Sequence, residues 1–112
     1  MGRKVEIAAA AAFILIQWAA PTGAQDMPRY NPADYCKKVA DVSGGSSMIY
    51  NSCIEMEQNA YDRRKANWSS VSAKSRNYCD EVAGVSGGSY TILDSCIDME
   101  TDASASTPEF KF

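Results

Sequence analysis

The chain has 112 residues, 46% of them hydrophobic and 22% charged, with four cysteines, no histidine and a formal charge of −3. That length holds one domain at most, and the composition suits a folded chain rather than a disordered one. Without histidine there can be no Ser-His-Asp triad, no Cys-His pair and no histidine zinc site.

The first element is an address. Arg3 and Lys4 precede an apolar run from Ile7 to Ala20, broken only by Gln17, and small residues Gly23 and Ala24 follow Pro21. This is the layout of a secretory signal peptide, and the run is too short for a membrane span of about 20 residues. The pattern predicts a signal peptide over 1–24 cut after Ala24, and no later segment is apolar enough to anchor the chain. The remaining residues carry nine basic and thirteen acidic side chains, a balance that disfavours nucleic-acid binding. Export places the cysteines where disulfides form.

Beyond a short lead-in (25–34), the chain carries one unit written twice. Tyr35 to Ala60 aligns without a gap on Tyr78 to Ala103, and sixteen of the 26 positions are identical. A match of this quality is a tandem duplication. Hairpin one is expected over 35–68, a joint over 69–77, hairpin two over 78–103 and a tail over 104–112. In the first copy Asn31 suits a helix N-cap and Pro32 the first helical position. Cys36, Val39, Ala40 and Ser43 share one helical face. Gly44 and Gly45 make the turn, with Gly44 placed for a left-handed helix end, and Ser46 caps the second helix. Its inner stripe is expected to be Ile49, Cys53, Met56 and Ala60, and Arg63, Arg64 and Lys65 suit its C-terminal end. The second copy repeats this with Cys79, Val82, Ala83 and Ser86, a turn at Gly87 and Gly88, a cap at Ser89, and a stripe of Ile92, Cys96, Met99 and Ala103.

Four cysteines allow three pairings. The midpoint of Cys36 and Cys53 falls between Gly44 and Gly45, and that of Cys79 and Cys96 between Gly87 and Gly88. In an antiparallel helical hairpin, residues equidistant from the turn lie at the same height. The pairs 36–53 and 79–96 are therefore expected as structural staples. Zinc held by thiolates is disfavoured, because no C-x-x-C spacing is present. The fold class is all-α: two tandem stapled hairpins in a small four-helix arrangement, with no metal and no cofactor expected.

Charge divides the copies. Residues 35–77 sum to +3 and residues 78–112 to −6. Either the two halves complement each other within one four-helix unit, or they meet between molecules in a charge-driven self-association. Asp94, Asp98 and Asp102 line one helical face, where like charges repel. Arg63, Arg64, Lys65, Trp68, Asp94, Asp98 and Asp102 are the candidate interaction residues. Asn67-Trp68-Ser69 matches the N-glycosylation acceptor pattern, which matters only in a eukaryotic secretory pathway.

The repeated Y-C-x-x-V-A-x-V-S-G-G-S segment, followed by S-C-I-x-M-E and, in the first copy, by Gln58 to Asp62 and Trp68, resembles small uncharacterised exported proteins of alphaproteobacteria. The second copy departs after Ala103, where the Tyr-Asp continuation and the tryptophan are missing. The resemblance implies a periplasmic location and no particular activity. The stretch from Met48 through Cys53, Glu57 and Ala60 to Trp68 is more distantly similar to periplasmic lysozyme-inhibitor-like helical domains, with a different cysteine spacing. Three functions are compatible with these features. The leading one is a non-enzymatic protein-interaction module of the bacterial cell envelope, periplasmic or secreted. An inhibitor of a secreted hydrolase such as lysozyme is the alternative. A small enzyme working through Glu55, Glu57, Asp98 and Glu100 is the remote one.

Overall fold

The structure, a computed structural model, describes residues 26–112; the signal-peptide reading of 1–24 lies outside them. Four α-helices and one short 3₁₀ turn are found, and no strand occurs among the described residues. Helix α1 spans Pro32–Asp41, α2 Ser47–Lys65, α3 Ala73–Val85 and α4 Tyr90–Ala105, and the 3₁₀ turn is Trp68–Ser70.

Each helix starts where a short polar side chain can take a free amide. Asn31 accepts from the Asp34 amide at 3.1 Å, and Ser46, Ser72 and Ser89 accept from Ile49, Ser75 and Ile92 at 3.2 Å each. Such caps contribute about 1 kcal/mol apiece. The glycine doublets end α1 and α3 in the same way. Gly44 N–H donates to the Asp41 carbonyl at 3.1 Å and Gly45 N–H to Ala40 at 2.9 Å, while Gly87 and Gly88 do the same to Gly84 and Ala83 at 3.1 and 2.8 Å. This paired closure is the Schellman motif. It requires left-handed backbone, and φ is +76° at Gly44 and +99° at Gly87.

Both expected staples are present: Cys36–Cys53 and Cys79–Cys96 each bring their Cα atoms to 5.5 Å. They hold α1 on α2 and α3 on α4, and a third contact packs α2 along α4. That third contact makes the two hairpins one body. Its core contains Ala60, Trp68, Cys79, Ala83, Tyr90, Leu93 and Ile97. Leu93 and Ile97 are fully buried, and each such side chain contributes about 2 kcal/mol through removal from water. Ala60 lets the α4 backbone come close.

Two details depart from the sequence expectation. Helix α3 starts at Ala73, so it takes up much of the expected joint. Met56 and Met99, expected on the inner stripe, are 58% and 69% exposed, and Ala103, at the end of the second stripe, is exposed as well. The expected stripe is centred on the cysteines, as suits an isolated hairpin. Packing α2 against α4 moves the buried arc of α2 to Glu57, Ala60 and Arg64.

Candidate functional site

The basic end of α2 and the acidic face of α4 meet inside the molecule. Arg64, 6% exposed, donates from Nε to Asp94 Oδ1 at 2.8 Å and from Nη2 to Asp98 Oδ1 at 2.7 Å. Asp94 is 3% exposed and also accepts from Arg63, through Nε at 3.0 Å and through Nη2. The hydrogen bond to Asp94 holds the Arg63 pKa above its ordinary value. Repulsion between Asp94 and Asp98 is thus relieved by a guanidinium, and the charge complementarity operates within one four-helix unit. Asp102 stays exposed, and the Lys65 ammonium lies 5.6 Å from the Tyr61 ring centroid. Of the seven candidate interaction residues, Arg63, Arg64, Asp94 and Asp98 join the hairpins, with the Arg63 and Asp98 side chains still 60% and 66% exposed, and Lys65 and Asp102 are exposed with no ion pair among the described residues.

A second polar contact in this interface has no counterpart among the sequence expectations. Glu57, 2% exposed, accepts from Ser89 Oγ at 2.6 Å and from the amides of Tyr90 and Thr91 at 2.7 and 3.2 Å. A carboxylate from one hairpin therefore caps the first turn of the other hairpin's second helix, where free amides and the helix dipole favour negative charge. The signal for it was an acid embedded between Cys53 and Ala60 on an otherwise apolar face.

The exposed apolar surface is duplicated too. Between α1 and α2 lies a groove of about 290 Å³ lined by Tyr35, Val39, Met48, Ile49, Cys53 and Met56. Between α3 and α4 lies one of about 310 Å³ whose walls, Tyr78, Val82, Thr91, Ile92, Cys96 and Met99, are the same six positions 43 residues on. Met48, Met56 and Met99 are 76%, 58% and 69% exposed at their edges. Methionine side chains adapt their shape to irregular partners.

A third concavity, about 650 Å³, opens where the lead-in crosses the hairpins, and Tyr30, Tyr61, Tyr90, Trp68, Arg29 and Lys65 are among its walls. Tyr90 holds the lead-in in place: its hydroxyl donates to the Pro28 carbonyl at 2.7 Å and accepts from the Tyr30 amide at 2.9 Å. Tyr30 donates to Asp80 at 2.7 Å, and its Cβ lies 3.4 Å and its ring 3.6 Å from where a Cβ on Gly88 would stand. A methyl group there would meet Tyr30 at ordinary van der Waals distance, and it is the φ of +81° that favours glycine at 88. Ring centroids are 4.7 Å apart for Tyr30 and Tyr90 and 4.9 Å for Tyr61 and Tyr90, within the range of favourable aromatic pairing. Burial pushes the Tyr30 pKa up, and the Asp80 carboxylate pushes it further; burial also raises Tyr90. Trp68 is 5% exposed, the Arg76 guanidinium stands 5.8 Å from its ring centroid, and its buried Nε1–H has no acceptor.

Among the described residues there is no group of three or more metal-ligating side chains, and no helix is long and apolar enough to cross a membrane. No family model, curated protein or solved structure matches the chain.

Proposed function

We propose that this is an exported, non-enzymatic protein-interaction module of the bacterial cell envelope, acting in the periplasm or outside the cell. The observation that carries the reading is the pair of equivalent grooves. Each hairpin leaves one methionine-edged apolar groove open to solvent on a scaffold held by a disulfide. Exposed apolar surface of this kind is costly to keep unless it is covered by a partner. The two disulfides fit an oxidising compartment, and the envelope location rests on the resemblance to exported alphaproteobacterial proteins. Of the four acids on which an enzyme reading would rest, Glu57 caps α4 and Asp98 accepts from Arg64.

Methionine at the groove edges gives a direct test, because Met56 and Met99 are exposed and substitutions at exposed positions cost little stability. Immobilised wild-type protein is expected to capture a protein from periplasmic extract at low and moderate salt, and M56E with M99E is expected to lose at least about 90% of it, a loss of one 1.4 kcal/mol step in binding. An empty wild-type column, or equal capture by the variant, overturns the reading.

A further inference from the structure

We propose that the cleft beside the lead-in is a second binding site, separate from the grooves, and that it takes a carboxylate attached to a flat apolar group. It shares no wall residue with either groove, so it stands whether or not the grooves dock a protein.

Three features define the ligand. The volume of about 650 Å³ falls within the range of small-molecule sites. The half-buried Tyr30 and Tyr61 supply ring surface, which accepts a flat apolar group by stacking or edge contact. Arg29 and Lys65, both exposed, make no ion pair among the described residues. They outnumber the one acid on the walls, Asp26, so the cleft favours an anion. The Trp68 side chain is among the walls, so its indole N–H reports on occupancy of the cleft. An aromatic carboxylate supplies an anion for Arg29 and Lys65 and a ring for the tyrosines. A peptide ending in an aromatic residue carries the same chemistry as a free aromatic acid.

The test uses the indole N–H resonance of Trp68 in the ¹⁵N-labelled full chain. The sequence has two tryptophans, and the W18F variant leaves Trp68 as the single indole. N-acetyl-L-phenylalanine is expected to shift that resonance saturably, and its neutral amide to bind about tenfold more weakly, as the loss of charge-assisted hydrogen bonds requires. Arg29→Gln combined with Lys65→Gln, at exposed positions, is expected to abolish the preference for the acid. The tripeptide Gly-Gly-Phe and 4-hydroxyphenylacetate separate the two sources: tighter binding of the peptide assigns the cleft to protein C-termini, and tighter binding of the small acid assigns it to free aromatic acids. No saturable shift with N-acetyl-L-phenylalanine, or equal affinity for acid and amide, overturns the proposal.

Discussion

Replacing Glu57 with alanine is expected to lower the unfolding free energy by about 4 kcal/mol, since hydrogen bonds to a charged group are worth about 1.5–3 kcal/mol each and buried donors left alone cost more than exposed ones. Three donors lose their acceptor at once: Ser89 Oγ and the amides of Tyr90 and Thr91. Ser89 is itself fully buried, so water cannot replace the carboxylate without opening the interface between hairpins. Glu57→Gln keeps the shape and one acceptor oxygen but loses the charge, and is expected to cost about half as much. A guanidinium titration of the oxidised protein checks this: the midpoint should fall while the slope, which scales with the surface exposed on unfolding, stays the same. The equivalent residue of the second copy, Glu100, makes no hydrogen bond to another helix among the described residues, and Glu100→Ala should be near neutral.

The two disulfides are expected to differ in worth although their loops are equal. Both close a sequence separation of 17, so the constraint on the unfolded chain is the same, about 3 kcal/mol for each. The folded states differ. Cys79 belongs to the cluster of Ala60, Ala83, Leu93 and Ile97, with Cys96 packed against it, whereas neither Cys36 nor Cys53 belongs to that cluster. Removing sulfur there leaves a void in the core that joins the hairpins, which adds a further 1–2 kcal/mol, roughly the cost of a small cavity. Thermal melts of C36A/C53A and C79A/C96A under oxidising conditions compare the two directly. The second variant should melt lower by several degrees, on the order of 5 °C per kcal/mol for a domain of this size. Equal melting points would place the stabilising core elsewhere.

The hairpins themselves were legible because their signals are local. Capping side chains, glycine doublets and a helical period all act within a few residues, and the duplication let each copy check the other. The symmetry of Cys36 and Cys53 about Gly44–Gly45 then set the disulfides. The contact between hairpins was not legible in the same way, because it joins residues that do not correspond. Glu57 meets Tyr90 and Arg64 meets Asp94, whereas the duplication pairs Glu57 with Glu100 and Arg64 with Thr107. Where α2 packs on α4, one face of the first copy meets a different face of the second. A signal for this did exist. Asp94 stands where the first copy has Asn51, Leu93 where it has Tyr50, and Tyr90 where it has Ser47. Once one copy's face is buried and the other's is open to water, the same position faces opposite demands, and the two residues diverge. The charge asymmetry carried part of this information, yet net charge alone does not separate an internal contact from an external one. The aromatic cleft was illegible for another reason: its walls come from the lead-in, α2, the 3₁₀ turn and α4, four segments that no local pattern connects.

The hairpins act as one body through unlike faces, and a double-mutant cycle on Arg64 and Asp94 tests this most directly. Arg64→Met alone leaves the buried Asp94 with Arg63 as its one guanidinium, and Asp94→Leu alone leaves the buried Arg64 with Asp98 as its one carboxylate; each should be destabilising, and the double variant removes both buried charges and should recover much of the loss. The predicted coupling is about 2 kcal/mol, within the range for residues in one ion-pair network, and additivity to within about 0.5 kcal/mol would contradict a single body joined through this pair.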